Sequence, residues 1–70
     1  MEPKAGDLLT VKIDRLSADG DGGLGFLEDG TMVLVYGGER HIGETVVVRV
    51  EMHYLTVKGT LIRAVIDDDT

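Results

Sequence analysis

Residues 20–43 of this chain read GDGGLGFLEDGTMVLVYGGERHIG. Two short apolar runs flank Asp29-Gly30, and a second glycine-rich stretch follows them. Asp-Gly between alternating apolar residues is a strong hairpin signal, because a type I′ turn needs φ > 0 at both central positions. A tight hairpin turn is therefore expected at residues 28–31. The glycines on either side mark out a small, sharply turned all-β domain.

The same punctuation extends in both directions. Before the segment, Leu9, Val11 and Ile13 alternate with Thr10, Lys12 and Asp14, the period-2 mark of a half-buried strand over residues 8–16. A second strand is expected at 24–27 and a third at 31–36. A loop follows at 37–43, with one short helical turn around 40–42. The fourth strand, 44–53, points Val46, Val48, Val50 and Met52 one way. Thr45, Val47, Arg49, Glu51 and His53 point the other. After a turn at 54–58, residues 59–66 make the fifth. Helical periodicity is absent over any useful length.

Five short strands in so short a chain need closure, since an open sheet leaves edges that pair with other chains. The expected fold is therefore a five-stranded, OB-like or SH3-like barrel over residues 7–66. Residues 1–6 form an N-terminal extension, and 67–70 an acidic, disordered tail. Phe26, Tyr36 and Tyr54 are the only aromatic residues, so the core must be built from Val, Leu and Ile.

Seventy residues make one domain, and a domain this small buries only about 60% of its unfolded surface. Cysteine is absent, which removes disulfides and thiolate metal sites and fits a cytoplasmic setting. The longest apolar run, residues 32–36, is far shorter than the roughly 20 residues a membrane-spanning helix needs. No signal peptide is expected at the start.

The net charge is −6 and unevenly placed. Residues 7–39 hold seven acids and two bases, net −5, whereas residues 40–66 hold four bases and two acids, net +2. Three more acids follow at 67–69. Strong nucleic-acid binders make six to ten phosphate contacts, more than one face of this chain can offer.

Several patterns lead nowhere. Gly20-x-Gly22-x-x-Gly25 spells a dinucleotide fingerprint, but that reading needs a βαβ unit around it. These glycines suit barrel corners instead. Asp19-x-Asp21 looks like the start of a calcium loop, yet Gly23 stands at the third ligand position and no helices flank it. Ser17, His41 and His53 form no local catalytic signature. The expectation is a non-enzyme without cofactor or metal.

Residues 6–66 resemble a TRAM domain, the small β-barrel of tRNA-modifying enzymes and of short standalone proteins. Gly6-Asp7, the run from Gly23 through Leu24-Gly25-Phe26-Leu27-Glu28-Asp29-Gly30-Thr31-Met32-Val33, and Gly59 carry the likeness. The loop Gly38-Glu39-Arg40-His41-Ile42-Gly43-Glu44 is most similar to the C-terminal TRAM domain of bacterial PIN–TRAM proteins. The resemblance implies RNA binding, often of tRNA, and a neighbouring PIN domain as a partner. The residues offered for RNA contact are Lys12 and Arg15 on the first strand, Arg40 and His41 in the loop, Arg49 and His53 on the fourth strand, and Arg63 on the fifth. The competing expectation is a protein-interaction or oligomerisation barrel using Val47, Leu61 and Val65.

Overall fold

The computed structural model describes residues 3–18 and 20–67. The strands are β1 (Leu8–Leu16), β2 (Gly22–Phe26), β3 (Met32–Tyr36), β4 (Thr45–Thr56) and β5 (Gly59–Ile66). They close in the order β1-β2-β3-β5-β4, with β3 and β5 parallel and the other pairs antiparallel. This is the OB-like form of the expected barrel. Helical structure among the described residues is limited to a 3₁₀ turn, Gly38–Arg40, earlier than the residues expected.

Alternation supplies the core. Val11, Ile13, Val33, Val35, Val48, Val50, Ile62 and Ala64 fill the barrel at 2% exposure or less. Leu9, Leu27, Val46 and Ile66 pack around them. Leucine was expected inside, but the inward positions are held by β-branched Val and Ile with Ala64, and Leu9 and Leu27 serve only at the margin. Larger groups are excluded even at the backbone. A Cβ on Gly23 would lie 2.5 Å from Ile13 Cγ2, and one on Gly22 2.6 Å from the Val35 oxygen. Of the dinucleotide-like glycines, Gly22 and Gly25 are thus packing glycines, while Gly20, with φ +78° and nothing within 4 Å, is a turn glycine.

The hairpin turn differs from the expected type. Gly30 N–H donates to the Leu27 oxygen and Leu27 N–H to the Thr31 oxygen, both at 2.9 Å. Within the turn Gly30 alone has positive φ (+91°), and among the described residues no non-glycine residue does. Asp29 therefore does not enter a type I′ turn. The loop instead ends on a left-handed glycine, the longer hairpin form. Asp29 Oδ1 accepts from Thr31 N–H at 2.9 Å, and that bond holds its carboxyl below the ordinary value of 3.8. A depressed folded value stabilises the turn above the unfolded value, and this is lost as pH falls through the folded one. Asp29→Ala should therefore lower Tm slightly at neutral pH, and the gap should close in acid below 3.8. Parallel thermal melts across that range check this; a gap independent of pH contradicts it.

β4 carries the largest surprise. It runs to Thr56 rather than stopping at His53, and Glu51 is a bulge: Val50 pairs with Ala64, but Met52 pairs with Arg63. One extra residue reverses the faces of everything beyond it. Met52 is turned outward rather than inward, and His53 moves to the parity of buried Ile62. The ends of β4 and β5 form an arm beyond the barrel, with Leu55 and Val57 exposed at its tip.

The loop after β3 closes one end of the barrel. Gly38 is buried against Val35, Gly23 and Ile13. Gly43 N–H donates to the Ile13 oxygen at 2.7 Å and Ile13 N–H to the Glu44 oxygen at 2.9 Å. Asp67, expected in the disordered tail, donates its N–H to the Val47 oxygen at 3.0 Å. Residues 68–70, like Asp19 of the calcium-like pattern, lie outside the described residues.

Candidate nucleic-acid interface

The interior takes no aromatic residue, so all the aromatic rings lie outside the core cluster. Two of them sit on neighbouring strands. Phe26 is half-buried on β2, and Tyr36 is 38% exposed at the end of β3. Between them, at outward positions, lie Leu24 on β2 and Met32 and Leu34 on β3, all half-buried. In β3 both sides are apolar: Val33 and Val35 inward, Met32, Leu34 and Tyr36 outward. A strand of an antiparallel hairpin facing water on its outer side normally alternates with polar residues.

Two arginines lean onto this face from its flanking strands. Arg15 on β1 pairs with Leu24, and its guanidinium carbon lies 5.8 Å from the Phe26 ring centroid. Arg63 on β5 pairs with Leu34, and its guanidinium carbon lies 5.9 Å from the Tyr36 centroid. Each distance is within reach of a cation–π contact, worth about 0.5–1 kcal/mol at exposed sites. Arg63 Nε lies 3.3 Å from Glu51 Oε1. It makes no hydrogen bond to any described residue, so the attraction is Coulombic and a donor is left over. The carboxylate reaches it because the bulge turns Glu51 aside.

Arg49 is held differently. It sits on β4 opposite Val65, and its Nη2 donates to Asp67 Oδ1 at 2.7 Å, with the carboxylate only 12% exposed. Arg49 and Arg63 do share outward positions on neighbouring strands, as expected. The other residues do not join them. Lys12 pairs with Thr45 on the β1–β4 side. Arg40 ends the 3₁₀ turn, and His41 Nδ1 lies 2.8 Å from Glu44 Oε1 within the end-closing loop. His53 lies on the arm, opposite Ile62. Ser17 does turn chemistry: its Oγ accepts from Gly22 N–H at 3.2 Å.

Reasoning from charge missed the aromatic half of the face. The signal was present in residues 32–36, an unbroken apolar run in which alternation alone would have called for polar residues. Its two faces are both apolar, so the outer one needs a purpose.

A comparison with family models matches the TRAM domain over residues 4–57. No curated protein and no solved structure matches the chain significantly. The matched span takes in the packing glycines, the hairpin, the end-closing loop and all of β4. The chain belongs to the TRAM-domain family, whose domains are in general non-catalytic RNA-binding modules.

Proposed function

We propose that this barrel binds RNA on the outer face of β2 and β3, with Arg15 and Arg63 as its cations and Phe26 and Tyr36 as its stacking surfaces. The observation that carries the reading is the pair of guanidinium groups over rings on one outer face, Arg63 over Tyr36 and Arg15 over Phe26. Aromatic rings take the flat faces of bases, and guanidinium groups both stack and fork onto phosphates. The acidity of the whole molecule does not oppose this. Charges beyond a Debye length, about 8 Å at physiological salt, are largely screened, so a local basic face still attracts phosphate. Few cations also means modest affinity with a shallow salt dependence.

Catalysis is not part of the proposal. A tRNA ligand and a catalytic neighbour of the PIN type are supported by the sequence resemblance of residues 38–44. In such a setting the barrel targets RNA and the chemistry is done next door.

Two measurements test the reading. RNA binding, followed by titration at two salt concentrations, should weaken as salt rises. Asp67→Asn should then tighten binding about threefold at low salt, because it frees Arg49, which lies on β4 next to the Arg63 strand, to add a cation at the edge of the face. Absence of RNA binding at low salt would remove the proposal. Binding unmoved by Asp67→Asn would place Arg49 outside the interface.

A further inference from the structure

The outer face does not end at the strands. At the Met32 end it runs into a cleft of about 380 Å³ between the β2–β3 turn and the base of the β4–β5 arm. Met32 and Leu61, paired outward neighbours on β3 and β5, form its floor. Thr31, Thr56 and Thr60 line its walls, the Asp29 carboxylate lies on the turn side, and Lys58 stands across from it at the tip of the arm. The arm is braced there: Thr56 Oγ1 donates to the Gly59 oxygen at 2.6 Å and accepts from Lys58 N–H at 3.2 Å.

We infer that this cleft takes a single unpaired nucleotide, and that the ligand class of the face is therefore unpaired RNA rather than duplex. The inference rests on the RNA-binding reading above and names its substrate. A base needs an apolar floor for its flat face, hydroxyl groups for its edge and a cation for its phosphate. Met32 and Leu61, the hydroxyls of Thr31 and Thr60, and Lys58 supply these in turn, Thr56 being committed to bracing the arm. The cleft is continuous with the platform of Leu34, Arg63 and Tyr36, so a strand crossing β3 enters it directly. A duplex does not fit this arrangement. Its bases are already paired and stacked on each other, so none is free to enter the cleft. Stacking on aromatic side chains requires bases that are splayed out.

The test uses an unstructured RNA decamer, the blunt duplex of the same sequence, and the full chain. The parent should bind the single strand at least tenfold more tightly than the duplex. Lys58→Ala should weaken single-strand binding about fivefold near 0.1 M salt. It should also lower the salt slope by about 0.7, the effect of one phosphate contact on a single strand. Tyrosine emission gives a second readout, since the chain has Tyr36 and Tyr54 and no tryptophan. Tyr54→Phe should keep the quenching caused by the decamer, and Tyr36→Phe should lose it. Equal binding of duplex and single strand overturns the inference while leaving RNA binding intact, as does a Lys58→Ala variant with parental affinity and slope. No RNA binding at all overturns the earlier reading as well. Salt-insensitive self-association lost in Leu55→Asp, with RNA unable to compete, assigns the arm to protein docking and overturns it too.

Discussion

Gly25→Ala should lower the melting temperature by about 15 °C or more. Gly25 faces into the barrel opposite Ile13. A Cβ there would lie 2.4 Å from Val11 Cγ1 and 2.5 Å from the Lys12 oxygen. The first contact is a core side chain and the second is backbone, so neither gives without moving β1. Overpacking of this kind costs about 1–3 kcal/mol and sometimes more. A domain of this size has only about 4–10 kcal/mol in total, and each kilocalorie is worth about 4–8 °C. Gly30→Ala makes the control. Its φ of +91° strains a side chain, but nothing lies within 4 Å of the added carbon. Its cost is about 1 kcal/mol of backbone strain. Thermal melts by circular dichroism rank the two. A Gly25→Ala protein as stable as the parent would show that β1 and β2 are not in close contact.

The second large effect concerns binding. Arg15 and Arg63 replaced together by Glu should reduce RNA affinity about 100-fold at low salt. Loss of two phosphate contacts accounts for about 20- to 30-fold near 0.1 M salt. Reversed charge beside Phe26 and Tyr36 adds the rest, because the rings then lie next to a group that repels the backbone of any strand stacked on them. Both side chains are on the barrel surface, Arg63 being 34% exposed, so the variant should melt close to the parent. A folded double variant that binds RNA as before contradicts the assignment of the face. Among the described residues, Arg63 has the 3.3 Å approach of Glu51 rather than a hydrogen-bonded ion pair.

The sequence was a good guide wherever one residue decided one feature. Residues 8–16 and 59–66 are strands as read, because alternation from Leu9 to Ile13 and along β5 leaves one register that buries the valines and isoleucines; beyond Ile13 a register shift in β1 sets Arg15 opposite outward Leu24. Gly30 marked the turn correctly, while the turn type depended on Asp29, whose φ stays negative. The Glu51 bulge could not be read, because an extra residue in β4 is defined only by its pairing with β5. With it went the facing of Met52 and His53. The functional face was half legible. Arg15, Arg49 and Arg63 were visible as cations, but their grouping depends on which strands become neighbours. Arg63 meets Tyr36 only because β5 returns parallel to β3. Arg40 and His41 looked like a loop tip by sequence, yet Gly38 and Gly43 draw that loop onto the barrel end.

The central claim is that RNA lies across the outer face of β2 and β3. Amide chemical shifts recorded during titration with an unpaired RNA decamer at low salt test it residue by residue. The account predicts shifts concentrated at Arg15, Leu24, Phe26, Met32, Leu34, Tyr36, Leu61 and Arg63, continuing to Lys58, with residues 40–44 and Lys12 unmoved. Shifts centred on residues 38–44, or none at any RNA concentration, would contradict it.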